Sequence, residues 1–106
     1  MVDKYKIFIN GKFTDSVSRE TYDVINPATE EVIAKVPLCN KEDTKFAIES
    51  AKKAFEEWQY STPAERASYL LKLADLVEKD LPKLAKLESI NTGKTIKYAR
   101  DSDFPF

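Results

Sequence analysis

An α+β fold, a β-meander followed by three to four helices, is predicted by three features of the sequence. Through Pro37 the apolar residues alternate and are punctuated by Asn-Gly and Asn-Pro pairs, whereas beyond Cys39 they recur every three or four residues. Between these patterns and the C-terminal residues, Thr62-Pro63-Ala64-Glu65 spells out a helix start. The expected division is a β-rich segment over 1–37 and a helical segment over 38–106.

The first strands alternate Tyr5, Ile7 and Ile9 with Lys6 and Phe8, and Asn10-Gly11 offers the two positive-φ residues of a type I′ turn before Lys12-Phe13-Thr14 returns. Asp15 to Glu20 reads as a polar connection. Thr21 to Ile25 reads as a strand stopped by Asn26-Pro27, because proline lacks a ladder donor and restricts its predecessor. After a turn over Ala28-Thr29-Glu30-Glu31, Val32 to Val36 forms the next strand, ended by Pro37.

Asn40 is placed to cap a first helix whose opening turn holds Glu42 and Asp43, suited to the positive end of the helix dipole. Ala47, Ala51, Ala54, Phe55 and Trp58 share one face, which predicts close approach to the next helix through alanines and an aromatic plug. The second helix carries the clearest signals: Thr62 and Glu65 have capping-box spacing, and Pro63 falls where no amide donor is needed. Ala67, Leu70, Leu71, Ala74 and Val77, widened by Leu73 and Leu76, give a stripe normally buried centrally. Pro82 is expected to interrupt this helix after Lys79, with a third running from Lys83 to Thr92. Gly93 suits the left-handed position past a helix end, Lys94 suits the dipole's negative end, and Thr95 caps a last segment over Ile96 to Asp101.

Composition closes many routes to function. Seventeen basic and eighteen acidic residues leave a net charge of −1 without long runs of one sign, so neither nucleic acid nor an acidic membrane is an expected partner. No apolar run approaches the ~18 residues of a membrane span, and no signal peptide is legible, so a cytoplasmic location is expected. With no histidine and one cysteine, Cys39, neither Cys/His zinc sites nor His-dependent nucleophilic arrangements are available. Gly11 and Gly93 are the only glycines, too few for a glycine-rich phosphate loop. Glu88 breaks the apolar stripe of the third helix and calls for a cation; Arg66 and then Arg100 are the expected partners. An ion pair is preferred there over a catalytic carboxylate, because no second chemical group accompanies Glu88.

Taken in order, Phe8-Ile9-Asn10-Gly11-Lys12-Phe13, Val24-Ile25-Asn26-Pro27-Ala28-Thr29, Glu31 to Pro37, Ala51 to Trp58, Pro63 to Ala67, and Leu87-Glu88 with Thr92-Gly93-Lys94 resemble the N-terminal part of an NAD(P)-dependent aldehyde dehydrogenase. The resemblance covers nearly the whole chain, which would be roughly the first quarter of such an enzyme. It implies a part of the α/β cofactor-binding domain, packed in the complete enzyme around a Rossmann-like sheet built by later sequence. The implied reaction oxidises an aldehyde to an acid through a cysteine thiohemiacetal, hydride transfer to NAD or NADP, and glutamate-assisted hydrolysis, an asparagine holding the oxyanion. Those residues and the cofactor's glycine-containing turn come later in the family order than Phe106, so no catalytic, cofactor-binding or metal residue is assigned here. Cys39 is not at the nucleophile's position and is expected to be a structural small hydrophobe. Asn26, Pro27, Thr62, Glu65, Arg66, Glu88 and Gly93 are assigned structural roles.

Two departures from the family pattern stand out. The turn after Asn26-Pro27 carries Glu30-Glu31 where a glycine is usual, which predicts a turn conformation open to residues with side chains. Some relatives bind a monovalent cation through carbonyls at the positions of Val24 and Ile25 and an acidic side chain; here that last position is Asn91, and the charge is lost. The expectation is an N-terminal fragment, inactive alone, whose apolar ending Phe104-Pro105-Phe106 looks cut. Its expected partner is a copy of itself or the missing remainder of an enzyme. A stand-alone module derived from the family is the alternative. An independent enzyme using Glu88, Asp101 or Asp103 lacks a second placed group.

Overall fold

A computed structural model describes residues 2–104. The expectation for the ending at Phe104-Pro105-Phe106 therefore lies partly outside the described residues. The chain divides into two compact units, Met1–Val24 with Val32–Ser61, and Ile25–Glu31 with Thr62–Phe106.

In the first unit, strands β2 (Ile7–Ile9) and β3 (Lys12–Thr14) form an antiparallel hairpin in the register Ile7 to Thr14, Phe8 to Phe13 and Ile9 to Lys12. Asn10 and Gly11 have φ of 54° and 74°, the two positive values that the type I′ turn demands. The Phe8 and Phe13 rings lie 5.1 Å apart, tilted by 58°, as directly opposed aromatic residues on one face do. A second sheet has the order β1-β5-β4, built from Asp3–Lys4, Val32–Pro37 and Thr21–Ile25. Here the structure adds what alternation does not reveal: β1 runs parallel to β5, pairing Asp3 with Ala34 and Lys4 with Lys35, and the Tyr5 amide donates to the Lys35 carbonyl at 3.0 Å. Tyr5 thus follows β1 and is not part of the hairpin strand. The last strand in sequence is central in the sheet, and Ala34 on it is buried.

Helix α1 (Lys41–Trp58) follows. Asn40 Oδ1 accepts from the amides of Glu42 and Asp43, while Asp43 Oδ2 accepts from the Asn40 amide at 2.9 Å, a complete capping box. The expected aromatic plug is not closed: Phe55 and Trp58 are both exposed.

In the second unit, α2 (Pro63–Lys79) begins at the Thr62 cap and gives way at Asp80 to α3 (Leu81–Thr92). The third helix starts two residues earlier than its sequence reading. Pro82 lies in its first turn, where a missing N–H costs nothing, so this proline opens a helix instead of obstructing one. Thr95 then caps α4 (Ile96–Tyr98), and the chain passes into a π-turn (Ala99–Asp103) in which the Phe104 amide points to the Ala99 carbonyl at 3.4 Å.

Among the described residues the buried apolar ones are all alanines: Ala34, Ala85 at 1% exposure and Ala99 at 0%. No residue of α2 is buried. Its central burial is therefore not met; Leu71 is 68% and Leu73 55% exposed. A chain with 42% apolar residues that leaves most of its leucines exposed carries far more apolar surface than its own fold covers.

Candidate functional site

The sequence signals of the second unit converge on the turn over 25–31 and the end of α3. The Asn26 amide donates to the Glu31 carbonyl at 2.9 Å, the Glu30 amide to the Asn26 carbonyl at 2.8 Å, and the Ala28 amide to Asn26 Oδ1 at 2.9 Å. One asparagine thus organises the turn through both backbone groups and its side chain, the local bonding that favours asparagine in turns. Glu30 has φ of 61°. The expectation of a conformation open to side chains is corrected: Glu30 occupies the left-handed region in which a glycine would be unstrained.

Gly93 caps α3 with φ of 79°, its amide donating to the Ser89 carbonyl at 2.9 Å. A Cβ added here would lie 2.8 Å from Pro27 Cγ. Gly93 is therefore required twice, once by its backbone and once by the proline ring that closes over it. Asn26-Pro27 and Thr92-Gly93, far apart in sequence, form one packing node.

Beside this node Lys94 is clamped by two carboxylates. Its Nζ lies 2.7 Å from Asp103 Oδ2 on the π-turn and 3.4 Å from Glu88 Oε1 on α3, and 5.6 Å from the centre of the Tyr98 ring. The partner of Glu88 is thus Lys94, not the Arg66 or Arg100 favoured by the sequence reading; Arg100 engages the neighbouring Asp101 at 2.6 Å. A lysine just past the helix end reaches back to Glu88 without spanning two helices. The hydrogen bond to Asp103 raises the Lys94 pKa above its ordinary value, and Arg100 lowers that of Asp101. Both shifts favour the charged forms. Lys94 is held protonated and Asp101 ionised, each moved further from the near-neutral pKa that efficient general acid–base catalysis uses.

Thr62 and Glu65 face each other across the start of α2: the Glu65 amide donates to Thr62 Oγ1 at 3.1 Å and the Thr62 amide to Glu65 Oε2 at 2.7 Å. Arg66 follows on the same first turn. Cys39, expected to be a structural small hydrophobe, is exposed and free. No group of three metal-ligating side chains occurs among the described residues.

Two residues had more to do than their sequence context suggested. Asp43 is 5% exposed, and besides its capping bond its Oδ1 accepts from the Val17 amide at 2.9 Å, tying the 15–20 connection to α1. The Asn40-to-Asp43 spacing was the available signal for the cap; nothing in the sequence pointed to Val17. Asp103 was noted only as a possible acid, yet it holds Lys94.

Along α2 an open groove of about 680 Å³ is lined, among the described residues, by Leu70, Leu73, Ala74, Val77 and Glu78, with Leu81 and Phe104. No helix among the described residues is long and apolar enough to cross a membrane.

Comparison with known proteins places this geometry. Residues 13–105 match the model of the aldehyde dehydrogenase family. An aminoacetaldehyde dehydrogenase of Pseudomonas aeruginosa is 43% identical over 102 residues, 94% of this chain and 21% of that protein. A crystal structure of an aldehyde dehydrogenase from Bartonella henselae superposes with a TM-score of 0.95 at 34% identity, over 99% of this chain and 22% of that one. An NAD+ complex of the aldehyde dehydrogenase from Bacillus cereus gives 0.93 at 41% identity, over 97% and 21%. The chain spans about a fifth of the length of the relatives it matches.

Proposed function

We propose, from the premise that this chain belongs to the aldehyde dehydrogenase family, that it supplies the N-terminal framework of the cofactor-binding domain and carries none of the reaction's chemistry itself. The observation that supports this most is the superposition over 99% of the chain on only 22% of a family structure. The whole enzyme's reaction, oxidation of an aldehyde to an acid with NAD or NADP, is assigned to residues outside these. Within the chain Cys39 is exposed and lacks a histidine to activate it. Gly11 serves a hairpin turn and Gly93 a helix C-cap, so neither opens a helix onto a phosphate. A cytoplasmic location fits the free thiol.

Incubated alone with aldehydes and NAD or NADP, the 106-residue chain is expected to produce no reduced nicotinamide above a heat-treated control. Turnover above that control contradicts the proposal. A second reading, a stand-alone module that binds itself or a partner, is favoured by the open leucines of α2. Light scattering tests its first half: a species heavier than 12.1 kDa supports self-association, and a lone 12.1 kDa species removes self-association.

A further inference from the structure

We infer that Asn10 is a site of spontaneous covalent modification, at which the Gly11 backbone nitrogen closes on the Asn10 side-chain amide to give a succinimide that water opens to isoaspartate or aspartate. The bond formed joins the Gly11 nitrogen to Asn10 Cγ. The Gly11 amide proton passes to solvent base, and the side-chain nitrogen leaves as ammonia after taking a proton from solvent. Hydrolysis then adds one water, so no oxidant or reductant takes part.

The chain holds four asparagines, and their surroundings differ. Asn26 precedes Pro27, whose ring nitrogen has no proton to give up, and its Oδ1 accepts from the Ala28 amide at 2.9 Å. Asn40 Oδ1 accepts from the amides of Glu42 and Asp43 at 3.0 and 3.1 Å. Asn91 lies within α3, where the helical ladder fixes the backbone of Thr92 after it. Asn10 is exposed at a turn tip and is followed by glycine. A Cβ placed on Gly11 would meet nothing within 4 Å, so the space around it is open.

Cyclisation requires the peptide unit between Asn10 and Gly11 to rotate out of the type I′ turn. Gly11 tolerates that rotation, and a two-stranded sheet of three-residue strands opens locally at little cost. Asn10 also borders an open groove of about 480 Å³ with Glu49, Lys53 and Glu57 of α1, which admits the water for hydrolysis. Isoaspartate carries an extra backbone methylene that a two-residue turn does not accommodate, so the modified hairpin loses its pairing of Ile9 with Lys12.

The test incubates the 106-residue chain with and without urea, circular dichroism confirming the fold in its absence. Digestion in acid halts cyclisation, and mass spectrometry then reads each asparagine-containing peptide. In the folded chain Asn10 is expected to convert at least about tenfold faster than Asn40 or Asn91, because those must first release the hydrogen bonds that hold them. The rate should rise with pH, since the attacking nitrogen must shed its proton. Asn10→Gly keeps a type I′ turn and should abolish the acidic form that ion exchange resolves. Equal conversion at Asn40 or Asn91 overturns the inference, as does an Asn10 that converts in urea and stays intact in the folded chain. An acidic form that persists in Asn10→Gly overturns it as well.

Discussion

Replacing Asp43 by alanine removes the carboxylate that holds two backbone amides, those of Val17 and Asn40, each at 2.9 Å. Asp43 is 5% exposed, so water does not fully replace what is lost. A hydrogen bond to a charged group contributes about 1.5–3 kcal/mol, and a helix cap about 1 kcal/mol. Because the two bonds share one carboxylate and the freed amides regain part of their solvation, the expected cost is about 3 kcal/mol. At about 4–8 °C per kcal/mol for a domain of this size, the melting temperature falls by about 12–24 °C. Urea unfolding followed by circular dichroism is the assay, with wild type and variant compared at one protein concentration and the slope required to stay constant. Asp43→Asn keeps one acceptor oxygen in place and should lose about half as much. A loss below about 0.5 kcal/mol for Asp43→Ala, the range of an ordinary surface change, would show that these amides are satisfied without the carboxylate.

Three further outcomes follow from the second unit. Glu30→Gly relieves a left-handed residue costing about 1–2 kcal/mol and adds unfolded-state entropy worth about 0.5–1 kcal/mol, so a net gain of about 0.5–1 kcal/mol is expected by urea unfolding. Glu30→Ala should show no such gain. Gly93→Ala should cost about 2–4 kcal/mol, from its positive φ and from the 2.8 Å approach of the new Cβ to Pro27 Cγ. In a Pro27→Ala background that cost should fall by about 1 kcal/mol, since the proline ring is gone. Lys94, with its folded pKa raised by Asp103, contributes stability that is full below 10.5 and is lost as pH rises through the raised value. Thermal unfolding against pH should show this alkaline loss in wild type and not in Lys94→Met. Asp101, lowered by Arg100, contributes stability above 3.8 that disappears as pH falls through the lowered value.

Features written locally were legible. The Asn10-Gly11 turn, the Thr62 to Glu65 cap and the Gly93 stop each depend on residues a few positions apart, and the backbone shows all three. What the sequence did not disclose depends on distance in the chain. The two-residue strand Asp3–Lys4 is too short to show alternation, and its parallel partner lies some thirty positions on. The bond from Asp43 to Val17 spans 26 residues. Glu30 adopts a conformation that its side chain disfavours, because the Asn26 bonds and the close of Pro27 on Gly93 fix the turn around it. The misassigned partner of Glu88 has a different cause. Lys94 lies just past the end of the helix that carries Glu88, where its fit to the helix dipole hides the reach of its side chain back to that carboxylate.

If this chain is a working N-terminal framework of the family, it should replace the corresponding part of a relative. Nicotinamide reduction by a chimaera of residues 2–104 with the remainder of the Pseudomonas aminoacetaldehyde dehydrogenase tests this most directly. Activity on that enzyme's own aldehyde within about tenfold of the parent is predicted, since a framework acts through position and about 1.4 kcal/mol covers modest misfit. A chimaera that folds to the parent's size and secondary structure yet reduces no NAD would contradict it.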